Sequence, residues 1–428
     1  MSARTAALLV ALLASLSSAE EGQGYAELRA ALFPGAAGDK LQLVEHVRPS
    51  FQTQLAERVK LVATVEAGLA EGRDTATVLD RMLRASELGP LYEAAECAPV
   101  PRANSFLHID GAEDYLDVDR LFVDVYNPSF DLRIGRQAVN WGSARFLNPT
   151  DPFPQVLLTE PWRPRRGVNA LRLTVPFTQA SDATAVVATD DAFTGVRAAG
   201  RARVNWMGTD FAAVGGYRGE GSTAFAGLDL RGTAVVGFWL EAAWVFSKSP
   251  HEEVAVGIDY SFPVLEQMVA FAQYSRNGSG LTSPDQYPSA ATRLAGPSPI
   301  ACSGNGLFAA SATSKADPFA PFTVGRDYGL VGLSLGLLTE LSASATALLN
   351  LDDGTAIFIP ALSWAARDWL DVSASASVPA ALWGHGGEFK PRAKDLRVTF
   401  PAPGGGLSAD FSGLVPAATL TLWTRASF

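Results

Sequence analysis

Histidine and cysteine are scarce in this chain. Its four histidines, His46, His108, His251 and His385, are too far apart for any ligand spacing, and it has two cysteines. HExxH, CxxC and a glycine loop ending in Lys-Ser/Thr are all missing, so the sequence carries no metal, nucleotide or cofactor signature. Charge is also thin, at 18% of the 428 residues, against about 25% in an ordinary soluble protein. A net charge of −10 and a pI near 5.0 supply no basic footprint, which argues against nucleic acid as a partner. Past the N-terminus no run of about 18 apolar residues occurs, so no membrane-spanning helix is expected. Yet the mean hydropathy is +0.12. The apolar residues are plentiful but dispersed.

The N-terminus is the exception. In MSARTAALLVALLASLSSAEEG, Arg4 precedes a short apolar run, Ala6 to Leu13, and Ser17 and Ala19 supply small residues before a cut. This reads as a cleaved secretory signal over 1–19 and predicts an exported protein. No cysteine follows the cut, so a lipid anchor is not expected.

Elsewhere the dispersion has a period of two. Val254, Val256, Ile258, Tyr260 and Phe262 oppose Glu253, Asp259 and Ser261, and Leu370, Val372, Ala374, Ala376 and Val378 oppose Asp371, Ser373, Ser375 and Ser377. In VRAAGRARVNW, Val196, Ala198, Ala202, Val204 and Trp206 oppose Arg197, Arg201, Arg203 and Asn205. Such alternation marks two-faced strands. Eighteen segments of this kind run from 24–33 to 413–428, with sixteen as the alternative count, and no separate apolar set is expected to form a second, dry core. Short connections at Pro128, Gly208, Gly232 and Pro263 interleave with long ones at 73–115, 143–166, 277–324 and 382–412. Counted back from the C-terminus, all the long ones fall on one side. Apolar faces toward lipid, polar faces toward a wet lumen and this asymmetry predict an all-β fold, a transmembrane antiparallel β-barrel over 20–428. Within it, DTATVLDRMLRASEL reads as a short helix in the long loop 73–115, because Val78, Leu79, Met82 and Leu83 cluster at helical spacing. The segment 40–71 carries both helical and alternating patterns, and strands are favoured there.

The terminal TLTLWTRASF alternates and ends on Phe428. It resembles the C-terminal signal of Gram-negative outer-membrane barrels, which implies an outer-membrane location, lipid as the surrounding partner and recognition by the barrel assembly machinery.

The stretch DLRIGRQAVNWGSARFLNPTDPF concentrates polar residues on a strand. Arginine facing lipid at the midplane costs roughly 2–4 kcal/mol, so Arg133 and Arg136 are assigned to the lumen. The phase slips near Gly135, where a bulge is expected, and Trp141 falls in an outer aromatic girdle with Trp206, Tyr260, Phe262 and Phe428. RIGRQAVNWG, preceded by DRLFVDVYNPSFDL and followed by NPTD, resembles a hairpin of porin-like outer-membrane channels of Gram-negative bacteria. The resemblance is sharp over 117–153 and implies that Arg133, Arg136, Gln137 and Asn140 lie near a channel lining. It names no solute.

A barrel of this strand number can hold an aqueous channel or a partial plug. Arg172, Arg197, Arg201 and Arg203 would join the lining, where arginine rows favour anions, while Glu253 and Asp259, with Asp117, Asp119, Asp124, Asp229 and Glu241, would compensate. A mixed, weakly selective wall is the competing expectation. The proline-rich loop 143–166 is expected to fold inward as a constriction. The reading that results is a passive channel for small solutes, not an enzyme and without cofactor. A scaffold or conduit for an export or electron-transfer partner, and a rim-located hydrolase, are the alternatives, and a homo-oligomer or periplasmic partner is left open. GLSLG at Gly332–Gly336 matches a nucleophile elbow, but Val331, Leu333, Leu335 and Leu337 continue a strand through it, so Ser334 is expected to be a lumen residue. The loop parity puts Cys97 and Cys302 on the same side and predicts a disulfide between them.

Overall fold

The structure, a computed structural model, describes residues 21–101, 105–108, 113–153, 164–189, 193, 195–218, 223–287, 300–303, 323–402 and 405–428. The expected signal segment 1–19 lies outside them. In chain order the strands are β1 (Glu21–Leu32), β2 (Leu41–Ala56), β3 (Val59–Gly72), β4 (Cys97–Pro99), β5 (Tyr115–Asn127), β6 (Phe130–Gln137), β7 (Val168–Thr178) and β8 (Ser181–Thr189). They continue as β9 (Arg197–Trp206), β10 (Thr209–Tyr217), β11 (Ala224–Thr233), β12 (Gly237–Phe246), β13 (His251–Phe262), β14 (Gln267–Asn277) and β15 (Ile300–Cys302). The last are β16 (Asp327–Leu338), β17 (Leu341–Asn350), β18 (Thr355–Arg367), β19 (Leu370–Ala381), β20 (Arg397–Ala402), β21 (Gly405–Asp410) and β22 (Thr419–Ser427).

All but β4, β15, β20 and β21 join one 18-stranded sheet. Each strand is antiparallel to its neighbours, and β22 pairs with β1 through Glu27↔Arg425 to close the sheet into a barrel. Closure leaves no edge, so every strand's backbone groups find partners on both sides. The segment 40–71 is a hairpin of β2 and β3. Connections at one rim are short, such as 128–129, 179–180 and 207–208, and the long loops all leave the other rim.

The alternation sets two unlike faces. Val256 and Ile258 are exposed on the outside, while Ala255 and Gly257 between them are buried. Leu228, Leu240, Trp244, Leu333, Leu362 and Leu422 are likewise exposed, whereas Glu241, Gln273 and Asn350 are buried inside. Burying a large apolar side chain is worth about 1.5–3 kcal/mol. A belt that leaves so many of them outside is therefore built for an apolar solvent, not for water.

Four expectations need correction. The strand expected over 130–142 stops at Gln137, and its register runs unbroken through Gly135 against both β5 and β7. The apparent slip arises because residues 138–142 leave the wall altogether. Gly135 takes φ +121°, and a Cβ there would lie 2.2 Å from the Leu121 carbonyl oxygen, so only glycine lets β6 approach β5. The last strand begins at Thr419, not at 413; residues Ser412–Leu414 form a 3-10 turn.

The third correction concerns dry cores, which do exist. One sits among the long loops. Helix α1 (Thr75–Ala85), capped by Asp74, whose Oδ1 accepts from the Ala76 amide at 3.0 Å, turns Val78, Leu79 and Leu83 toward Leu88 and Tyr92 at α2 (Gly89–Ala94). Ile300, Ala409, Phe411 and Leu414 complete the cluster, so three long loops form one cap. Cys97 and Cys302 face each other across the β4–β15 pair and are disulfide-bonded. Fourth, Trp141 does not stand in an outer girdle. It is 5% exposed, packs edge-on against Phe153 and shares a core with Val139, Val168, Val186, Val214, Phe225 and Val245, all on the inner wall or the loop filling it. Trp206, Tyr260 and Phe428 are exposed.

Ser334 lies in mid-strand, opposite Ser344 of β17, and β16 runs on to Leu338 without turning into a helix. The elbow geometry is absent there.

Candidate functional site

The interior is shaped by the segment that follows β6. After Gln137, residues 138–153 run inward and are pinned to the far wall by side chains of β11 to β14. Gly142 adopts φ +80°, and a Cβ on it would come within 2.7 Å of the Glu241 carboxylate. That approach lets Glu241 Oε1 accept from the Ser143 and Ala144 amides at 2.5 and 2.6 Å. Its Oε2 accepts from the Thr150 amide at 3.1 Å and the Thr150 hydroxyl at 2.7 Å. Glu241 is 0% exposed. A carboxylate can be buried this deeply because donors replace its water.

Neighbouring groups repeat the pattern. Ser143 Oγ donates to Asp229, Arg145 N donates to Gln273 Oε1 at 2.8 Å and Gln273 Nε2 donates to the Phe146 carbonyl. Arg218 and Arg197 donate to the carbonyls of Pro149 and Pro152 at 2.5 and 3.2 Å. Within the loop, Asp151 accepts from Arg165 at 2.5 Å and from the Phe153 and Trp141 amides. Burial pushes its pKa up to about 6, and Arg165 limits the rise. Phe146 extends the plug toward Tyr328, Leu330 and Leu348, and Tyr328 donates in turn to the buried Glu388 at 2.6 Å.

These contacts redistribute the residues expected along the lining. Arg133 is held by Asp124 in a two-pronged pair at 2.5 and 2.8 Å. Arg203 is paired with Asp182, Glu253 with Arg218, and Asp259 with Arg145. Arg197 is buried beneath the loop it holds. Arg136 lies beside Gly167 and close to Arg120. Asn140, beyond the end of β6, is an exposed loop residue and not part of the wall. Gln137 is fully buried and donates to the Ala170 carbonyl at 3.0 Å. Arg172 and Arg201 differ from all of these. Both stand on the inner face, half-buried, and neither hydrogen-bonds or pairs with an acid among the described residues.

The acids expected to neutralise them are engaged elsewhere. Asp119 is taken by Arg48 and Arg120, Asp124 by Arg133, and Asp229 and Glu241 by the loop. The β1–β3 wall holds a cavity of about 180 Å³ lined by Tyr25, Glu27, Arg29, His46, Glu66 and Tyr115, and bordered by Pro164 and Arg166 of the β6–β7 connection. There Tyr115 donates to Glu66 at 2.7 Å, and His46 Nε2 lies 3.1 Å from the same carboxylate. Sequence reasoning missed this wall, although Tyr25, Glu27 and Arg29 do alternate in the first strand.

The sequence matches no family model, and no curated protein matches it. The fold, by contrast, is found among solved structures. The OccD1 (OprD) barrel aligns with a TM-score of 0.52 and 11% identity over 96% of each chain. Over that aligned length the chain shares the barrel's fold. OccAB1 of Acinetobacter baumannii gives 0.52 and 7% identity, over 96% of this chain and 97% of that one. OpdK, an outer membrane protein of Pseudomonas aeruginosa, gives 0.52 and 10%, over 96% and 99%. At such identities the likeness is one of fold, an 18-stranded barrel with short turns at one rim and long loops at the other.

Proposed function

We propose that this chain is a passive outer-membrane channel of a Gram-negative bacterium, open to small solutes and favouring anions. The exposed apolar belt and the fold shared with OprD and Occ barrels support the membrane setting. A leader over 1–19 and a final strand ending on Phe428 fit export followed by assembly from the periplasm. One observation carries the selectivity: Arg172 and Arg201 face the lumen with no salt bridge or hydrogen bond to an acid among the described residues, while their acidic neighbours Asp124 and Asp229 are bonded to Arg133 and Ser143, which leaves Asp131 as the unbonded acid near Arg172. Guanidinium groups that are not held in salt bridges concentrate anions in a low-dielectric passage and repel cations.

The test is reconstitution in planar lipid bilayers under a potassium chloride gradient. Discrete conductance steps are expected, with a reversal potential displaced toward that of chloride. In the Arg172→Ala, Arg201→Ala double variant the displacement shrinks toward zero while the steps persist. Cation selectivity in the parent protein would refute the anion preference. Complete absence of steps would favour a scaffold whose lumen is filled by its own segments.

A further inference from the structure

The short-turn rim is chemically lopsided. Over most of its circumference the reversals carry polar tips: Glu57 and Arg58 between β2 and β3, Ser129 after β5, Gln179 after β7 and Glu340 after β16, while the turn after β18 pairs Asp368 with the exposed Trp369. Three successive reversals break the pattern. Between β9 and β10 the tip is Met207, between β11 and β12 it is Val235, and between β13 and β14 it is Leu265, exposed by 84%, 84% and 65%.

The backbone makes these choices costly. Met207 and Gly208 have φ +50° and +77°, the left-handed pair that asparagine-glycine fills most cheaply in a two-residue hairpin. Leu265 also sits at φ +53°, where a side chain without local hydrogen bonding is disfavoured. Among the described residues nothing covers any of the three side chains.

Their surroundings point to one kind of shelter. On the polar arc the outward apolar face ends at Leu55, Phe177 or Leu338, and a charged or polar tip follows. On the apolar arc it runs on into the tip, from Val204 and Trp206 into Met207 and from Tyr260 and Phe262 through Val264 into Leu265, with charge returning only after the tip, at Glu266. Two aromatic pairs flank these tips, Trp206 with Phe211 and Tyr260 with Phe262, and Trp and Tyr rings settle at the headgroup level of a bilayer. Successive hairpins stand roughly 10 Å apart, two strand spacings, so the tips are separate convex knobs with no groove between them. A fluid lipid boundary accommodates isolated knobs, whereas a folded partner requires a continuous complementary surface.

We infer that the β9–β14 turns are immersed in the headgroup and acyl boundary of the membrane, so that the barrel sits deeper on that arc while the opposite turns stand in water. The inference rests on the membrane reading above. Because the native cysteines are bonded to each other, single cysteines can be introduced and spin-labelled in the full-length protein. Met207→Cys, Val235→Cys and Leu265→Cys would be compared with Ser129→Cys, Gln179→Cys and Glu340→Cys, and with Ile258→Cys on the lipid face. All would be reconstituted in phosphatidylethanolamine–phosphatidylglycerol vesicles with oxygen and a water-soluble nickel complex as relaxants. The three tip labels are expected to show an oxygen-to-nickel accessibility ratio several-fold above the polar-arc labels and close to that at Ile258. Ratios equal to those of the polar arc overturn the inference while leaving the membrane reading intact. Protection from both relaxants that disappears on dilution with lipid overturns it in favour of protein contact. A water-like ratio at Ile258 overturns the membrane reading as well.

Discussion

Replacing Glu241 by glutamine asks what the inward loop does to the passage. The carboxylate accepts four bonds from Ser143, Ala144 and Thr150. Glutamine keeps the shape but turns one oxygen into a donor. Its best orientation leaves the carbonyl with Ser143 and Ala144 and sets the NH2 against Thr150. The Thr150 hydroxyl can rotate to accept, but the Thr150 amide loses its partner. A buried unsatisfied donor costs about 1–3 kcal/mol, and each charge-assisted bond made neutral forfeits about 1 kcal/mol. The sum, one unsatisfied donor and three bonds made neutral, is about 4–6 kcal/mol, a shift on the order of 10³- to 10⁴-fold from the pinned to the released arrangement at 1.4 kcal/mol per tenfold. The anchors from Gln273, Arg218 and Arg197 remain, so the loop loosens without leaving the barrel. In single-channel recordings Glu241→Gln should give larger and noisier steps than the parent, and Glu241→Ala larger still. Gel mobility before and after heating would show that the barrel itself has formed. Conductance and noise unchanged in both variants would refute the assignment of this loop as the constriction.

Other consequences are as specific. Asp151 has a pKa raised from 3.8 to about 6, so its contribution to holding the loop is complete below about 3.8 and is lost as pH rises through about 6. Protease resistance of the loop should fall across that window in the parent and stay level in Asp151→Asn; a level parent profile would contradict the burial argument. Gly135→Ala places a Cβ 2.2 Å from the Leu121 carbonyl oxygen at φ +121°, a backbone strain of about 1–3 kcal/mol before the clash is counted. The folded fraction on unheated gels should drop, and normal folding would show that β5 and β6 can part there. Replacing Cys97 and Cys302 by serine removes a crosslink spanning 205 residues, typically worth about 2–4 kcal/mol. Cleavage should speed up in the cap around α1 and α2 with the barrel intact, and an equally resistant cap would mean that its apolar core suffices alone.

What could be learned from the chain alone was what repeats locally. Val256 and Ile258 against Ala255 and Asp259, or Val204 and Trp206 against Arg201 and Arg203, show their two faces within a few residues, because strand geometry forces neighbours to opposite sides. Hairpin connectivity does the rest: with each strand reversing the last, the parity of the loops follows from counting. From the sequence, the closed all-β architecture and the common rim of the long loops were legible, and eighteen strands were favoured with sixteen left open; closure of the sheet decided for eighteen. The loops were legible only in outline: a helix in 73–115, an inward path for 143–166 and the Cys97–Cys302 bond could be expected, but not the partners that fix them. Arg172 and Arg197 belong to equally clear alternating patterns, yet one stands half-buried on the inner face beside Arg133 and the other lies under Pro152. RQAVNW continues an alternation after the strand has ended, and Trp141 is an inner-core residue only because Phe153, Val186 and Val245 surround it. Glu241 meets Ser143 across 98 positions, and the cap assembles Val78, Ile300 and Leu414 from three loops. Period-two patterning is a short-range property written into each segment, whereas a loop's path is chosen by partners that only the closed barrel brings within reach.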